Sequence, residues 1–253
     1  MTKIIMHGCN GRMGHVIADL AAEDQNIRIV AGVDAHGESS YSFPVYPTLQ
    51  ACQTVGDVII DFSNAAAVED LLVYCKDKQI PCVLCTTGLS EEQLLLVEKT
   101  AEKVAVLRSA NMSMGINVLL KVLQDAAPVL AAAGFDMEIV EKHHNQKLDA
   151  PSGTALALAD EINEAAGGDY TYVYDRSDRR AKRPEKEIGI SSVRGGTIVG
   201  DHDVIFAGRD EVVTFSHTAY SRAIFAKGAI EAAKFLADKQ SGMYDMSDVI
   251  GKN

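Results

Sequence analysis

Residues 141–155 read E-K-H-H-N-Q-K-L-D-A-P-S-G-T-A, and no other stretch of the chain carries as much reactive side-chain chemistry. His143 and His144 are followed by Lys147, by an Asp149-Ala150-Pro151 turn signal and by Ser152-Gly153-Thr154. The last three open a helix, and a helix start presents unpaired N–H groups and a positive dipole end to an anion. His143 and Lys147 are candidates for moving a proton. His144, Lys147 and the amides of Gly153 and Thr154 are candidates for holding a carboxylate. The chemistry this predicts is proton-assisted turnover of a small anionic molecule. One isolated histidine is usually structural, and two adjacent ones on a strand face opposite sides. A metal site from His143, His144 and Asp149 lacks the H-E-x-x-H helical spacing, and no metal is expected.

Such groups need a scaffold and a reaction partner. In the first half, short apolar runs at 3–7, 27–33, 57–61, 82–85 and 104–107 alternate with helical patterns at 11–23, 65–78 and 91–102. That alternation predicts an α/β fold with a Rossmann-type, doubly wound parallel sheet. Gly8-Cys9-Asn10-Gly11-Arg12-Met13-Gly14 follows the first strand and opens the first helix. This G-x-x-G-x-x-G is a weak motif alone, but strand before and helix after make it a dinucleotide turn. Asp34 ends the second strand, where a carboxylate for the adenosine ribose is expected. It accepts from a 2′-hydroxyl and repels a 2′-phosphate, which favours NADH and leaves NADPH open, since Arg12 and His36 are nearby cations. Thr86-Thr87-Gly88 and Ser109-Ala110-Asn111-Met112 end the fourth and fifth strands, where ligands sit in such sheets.

After residue 111 the pattern changes. A helix is expected over 115–133, broken near Pro128, then an alternating strand at 136–141 and a helix at 154–166. Strand-like runs at 188–193, 197–206 and 211–218 predict a C-terminal α+β domain with a mixed or antiparallel sheet. The division expected is 1–113 for the dinucleotide, with 222–253 packing back on it, and 114–221 for substrate binding and oligomerisation.

The chain has 253 residues and a net charge of −11. An acidic chain without long basic tracts is a poor binder of nucleic acid or anionic membrane. Its one basic cluster, at 176–183, reads as a solvated loop. No secretory signal or apolar run of membrane-spanning length is visible. Five cysteines, an odd number, suggest reduced thiols in a cytoplasm. Cys82 and Cys85 form a C-x-x-C inside a strand rather than at a helix start, without a second pair for zinc.

The chain resembles the dihydrodipicolinate (4-hydroxy-tetrahydrodipicolinate) reductases over nearly its whole length. The resemblance rests on G-x-x-G-R-M-G at 8–14, T-T-G at 86–88, S-A-N-M-S-M-G-I-N at 109–117, the 141–155 segment, V-R-G-G-T-I-V-G-D-H at 193–202 and G-M-Y-D-M-S-D-V at 242–249. It implies a homotetramer of two-domain subunits that reduces a cyclic dicarboxylate with NADH or NADPH. His143 then matches the proton donor/acceptor and Lys147 the proton donor, with His144, Gly153 and Thr154 on the substrate. Gly8, Cys9, Asn10, Gly11, Arg12, Met13, Asp34, Cys85, Thr86, Thr87, Ser109, Ala110, Asn111 and Met112 match cofactor contacts. Two positions depart from the family pattern. Cys85 replaces the usual glycine before T-T-G, and Ala35 replaces an arginine that would meet a 2′-phosphate. A semialdehyde dehydrogenase would need a cysteine nucleophile in the second domain, yet every cysteine precedes residue 86. A sugar dehydrogenase would not need so many carboxylate-binding groups, and an NADH-sensing regulator would want a basic face.

Overall fold

The computed structural model describes residues 1–36, 41–177 and 179–251. In chain order its elements are β1 (Thr2–His7), α1 (Arg12–Glu23), β2 (Ile27–Val33), β3 (Val45–Tyr46), β4 (Val58–Asp61), α2 (Val68–Lys78), β5 (Cys82–Leu84), α3 (Glu91–Ala101) and β6 (Ala105–Leu107). There follow α4 (Met114–Ala132), β7 (Asp136–His143), α5 (Gly153–Ala165), β8 (Thr171–Val173), β9 (Glu187–Arg194), β10 (Gly200–Ala207) and β11 (Val212–Ala219). The chain closes with α6 (Ala223–Leu236), β12 (Gly242–Tyr244) and α7 (Met246–Ile250). It forms two compact units, one of Met1–Met114 with the segment from Ala223 onward, the other of Gly115–Arg222.

In the first unit seven parallel strands lie in the order β12-β6-β5-β4-β1-β2-β3. Helices cover both faces. Ile17 of α1 and Ala229 and Ala233 of α6 pack on Ile4, Met6 and Ile60. Leu71 and Leu72 of α2 and Val97 of α3 pack on Ile5, Ile59 and Val106. Burial on two faces is why the central strands are uninterrupted apolar runs. The sheet reverses its winding between β1 and β4, so their carboxyl ends open a crevice. The Rossmann-type sheet is as the alternation predicts. Strands β3 and β12 are additions, two and three residues long, too short for a periodic signal.

The second unit holds a mixed sheet in the order β11-β10-β7-β9-β8. β10 runs antiparallel to β7 and β11, while β7 and β8 run parallel to β9. One face carries Met137, Ile139, Ile190 and Phe206 against Leu123 of α4 and Leu158 and Ile162 of α5. The expected break at Pro128 does not occur, and α4 runs through it. Proline removes one helical hydrogen bond. Leu119, Leu123 and Ala127 are buried in the sheet's core and hold the helix across that loss. Contrary to the sequence expectation, α4 is long and apolar enough to cross a bilayer by length and composition.

The basic cluster is a solvated loop only in part: Arg180 and Lys182 are exposed, but its other three arginines are paired. Arg176 meets Glu138 at 2.7 Å, Arg179 meets Glu187 at 2.7 Å, and Arg183 meets Asp136 at 2.7 Å and Glu138 at 3.0 Å. Spacing along one chain could not show that carboxylates of β7 and β9 converge on these arginines.

Candidate active site

The first unit's crevice is about 430 Å³ and is lined by Gly8, Asn10, Gly11, Asp34, His36, Phe62 and Ser63, among others. Gly8 has φ +79°, and a Cβ there would stand 2.6 Å from the Phe62 carbonyl oxygen. A Cβ on Gly14 would overlap the Cys9 carbonyl. Only glycine lets the turn lie this close to β4 and lets α1 start immediately after it. The α1 N-cap, Gly11, makes no side-chain cap, so the first-turn amides are offered outward. Asp34 accepts the Asn10 N–H at 3.0 Å and the His36 N–H at 3.0 Å, which fixes its carboxylate at the crevice. A tight glycine turn, an uncapped helix start and a carboxylate at the second strand's end together fit a dinucleotide.

The other cofactor candidates divide. Cys9 is buried beneath the turn, and burial, with Asp34 nearby, pushes its thiol up to about 11. The Met112 side chain is in the core. These two can offer a ligand only backbone. Arg12 is exposed and Met13 leans on the core. Cys85 follows β5, its thiol also pushed up by burial. Thr86 is buried and donates its hydroxyl to Asp61 at 2.6 Å. Thr87 is exposed, and Ser109, Ala110 and Asn111 follow β6 on the same carboxyl edge of the sheet. Sequence reading missed Asp61 and His7. Asp61 is fully buried and also meets the His7 Nδ1 at 2.8 Å and the Ser63 N–H at 3.2 Å. The available signal was a charged residue closing an otherwise apolar buried strand, which requires partners.

In the second unit, His143 is the last residue of β7 and is buried, while His144 begins the following loop, half-buried. Lys147 lies further along that loop with its ammonium 2.8 Å from Asp149. The Ala150–Pro151 peptide bond is cis. Ser152 caps α5 by accepting the Ala155 N–H at 3.2 Å, placing Gly153 and Thr154 in the helix's first turn. The residues picked from sequence thus share one segment of the second unit.

The group that ties them together was not foreseen. Glu141 is fully buried and accepts two hydrogen bonds from Arg194, at 2.8 and 2.7 Å. It also meets the His143 Nδ1 at 2.6 Å and the Ser152 N–H at 3.1 Å. Burial pushes its pKa up, but bonds from Arg194, Ser192 and His143 outweigh that and hold it at about 2. Arg194 reaches on to the Asp149 carbonyl at 2.7 Å. His202, Glu141's partner across β10, meets the Ser152 hydroxyl at 3.1 Å and stands edge-on to His143, ring centroids 5.2 Å apart. Burial, reinforced by His143, drives its pKa down to about 4.

Residues 2–112 match the family described as dihydrodipicolinate reductase, N-terminus, and residues 115–250 match its C-terminus. The chain belongs to the dihydrodipicolinate reductase family. It is 51% identical over 252 residues to the 4-hydroxy-tetrahydrodipicolinate reductase of Caldanaerobacter subterraneus subsp. tengcongensis, covering 100% of this chain and 99% of that one. It is 48% identical to that of Clostridium tetani, covering 97% and 96%. Among solved structures, the dipicolinate-bound dihydrodipicolinate reductase of Paenisporosarcina sp. TG-14 superposes with TM-score 0.78 at 25% identity, covering 98% of this chain and 99% of that one. A DAP dehydrogenase of C. glutamicum shares the fold, with TM-score 0.57, 14% identity and coverage of 100% and 99%. Family membership makes the chain a nicotinamide-dependent oxidoreductase.

Proposed function

We propose that this chain reduces 4-hydroxy-tetrahydrodipicolinate to tetrahydrodipicolinate with NADH or NADPH, in diaminopimelate and lysine biosynthesis. The observation that carries the reading is the second unit's segment: His143 and the α5 helix start are held on one buried carboxylate, Glu141, and His144 and Lys147 lie on the loop between them. A dicarboxylate needs two seats. The first-turn amides of Gly153 and Thr154 supply one, and His144 with Lys147 supplies the other. When bound, the reduced nicotinamide supplies a hydride. Hydride and one proton, with the 4-hydroxyl leaving as water, balance the reduction, and the chain delivers the proton from the Lys147 Nζ with His143 as donor/acceptor. The Gly8–Gly14 turn and Asp34 hold the dinucleotide in the first unit. Asp34 favours NADH over NADPH, and Ala35 beside it offers no cation to a 2′-phosphate. A homotetramer in the cytoplasm is part of this reading. The test is oxidation of NADH and of NADPH, each with freshly prepared substrate. Turnover with either is expected, and absence of turnover with both would overturn the reading.

A further inference from the structure

Glu141 opens the second unit's segment and Arg194, at the end of β9, is bound to it, yet neither has a task in the proposed reduction. Both are enclosed: the Glu141 side chain is 0% and the Arg194 side chain 19% exposed. A carboxylate taken wholly out of water must be matched by strong donors. Glu141 is matched from three directions. Arg194 brings a two-pronged guanidinium from the end of β9, Ser152 its amide from the start of α5, and His143 its Nδ1 from the end of β7 itself. These are a cation, an amide that leads the proposed carboxylate seat, and the residue proposed to exchange the proton.

We infer that Glu141, locked by Arg194, is the positioning residue of this site: it sets which nitrogen of His143 faces the reaction and fixes the α5 helix start at a constant distance from that ring.

The tautomer follows from hydrogen-bond chemistry. An ionised carboxylate can only accept, and Arg194's two donors hold Glu141 ionised. The hydrogen between His143 and Glu141 therefore sits on Nδ1, and Nε2 is left as the working nitrogen, as when a buried carboxylate orients a catalytic imidazole. Nε2 makes no hydrogen bond among the described residues, and a Cβ on Gly200 would stand 3.0 Å from it. A bare glycine thus keeps one flank of that nitrogen clear. The same carboxylate spans to Ser152, so the proton-handling ring and the anion-binding amides share one anchor. Arg194 extends that anchor to the loop carrying Lys147 through the Asp149 carbonyl. None of the three needs to find its position when substrate arrives, which is what preorganisation requires.

This inference rests on the functional reading above, and its test separates the two. Glu141→Gln keeps the size but presents either an oxygen or an NH2 to Nδ1, and so loses control of the tautomer. Nitrogen NMR of intact protein labelled at its histidines reads the state of His143 without substrate. Steady-state assays read kcat and KM, and calorimetry with NADH reads the first unit. The expected result is a changed Nδ1/Nε2 pattern at His143, with kcat lower by on the order of 100-fold. NADH affinity should be unchanged and KM altered less than kcat. Glu141→Asp, which keeps the charge but shortens the reach, should recover the His143 pattern in part. Should Glu141→Gln not fold, the Glu141→Gln/Arg194→Met pair removes both charges together and leaves no unpaired ion. A His143 pattern and kcat within twofold of wild type in either variant would overturn the inference. Wild-type protein that turns over neither cofactor would sink the functional reading, while the nitrogen spectrum still decides whether Glu141 sets the tautomer.

Discussion

Thr86 gives its hydroxyl to the Asp61 carboxylate across 2.6 Å, and both are buried at the carboxyl edge of the first sheet. Asp61 also meets the His7 ring and the Ser63 amide, so it joins the ends of β1, β4 and β5 at the mouth of the crevice. Asp61→Asn offers one carbonyl oxygen to these partners and strands at least one donor. That loss costs about 1–3 kcal/mol. Urea unfolding should show it, and calorimetry should show weaker NADH binding, because the Gly8 turn rests on the Phe62 backbone beside Asp61. Unchanged stability and affinity would remove Asp61 from the crevice's support.

Asp34 bears on cofactor choice. Asp34→Asn removes the charge and keeps one oxygen, so it holds one of the Asn10 and His36 amides, which bind different carboxylate oxygens, and loses the bond to the other. Relief of one partly screened repulsion is about 1 kcal/mol. The ratio of kcat/KM for NADPH to that for NADH should therefore rise roughly 5- to 10-fold, measured side by side. A ratio that does not move would show that Asp34 does not discriminate the 2′-position.

Lys147 and His144 are separated by kinetics. Lys147→Met should lose most of kcat while NADH still binds, as expected when the group acts in the transition state. His144→Ala should raise KM for the dicarboxylate more than it lowers kcat. An active Lys147→Met enzyme would take Lys147 out of the mechanism, and a kcat-dominated loss at His144 would put that ring into the chemistry.

The scaffold was legible in the sequence because its signals are local. The glycine turn, the alternating strand and helix, and the Ser152 helix start each depend on residues within a few positions. The support of the site was not, because it depends on pairings across strands. In β7 the alternation puts Met137, Ile139, Glu141 and His143 on the buried face, so Glu141 stands where an apolar residue belongs. That mismatch demands a partner, but nothing in the local sequence names Arg194, 53 residues on. The arginines at 176–183 misled for the same reason. Their carboxylates lie on other strands, and a charge run without its partners reads as solvent-facing.

Acid should loosen the second unit in two stages. His202 is held neutral by burial, its pKa lowered from 6.5 to about 4, with Glu141, His143, His217 and Lys147 among the groups acting on it. Between those values the unfolded chain binds a proton that the folded chain refuses, so stability falls as pH drops from 6.5 toward 4. The full shift corresponds to about 3 kcal/mol. Glu141 acts lower. Its pKa falls from 4.5 to about 2, so its contribution is present above 4.5 and is lost as pH drops toward 2. His202→Gln keeps a partner for the Ser152 hydroxyl and cannot titrate. At fixed protein concentration its unfolding free energy should vary less than wild type's between pH 6.5 and 4. Some slope should persist, because burial lowers His217 in the same direction. A His202→Gln profile parallel to wild type across that window would show that the buried His202 ring is not what acid charges first.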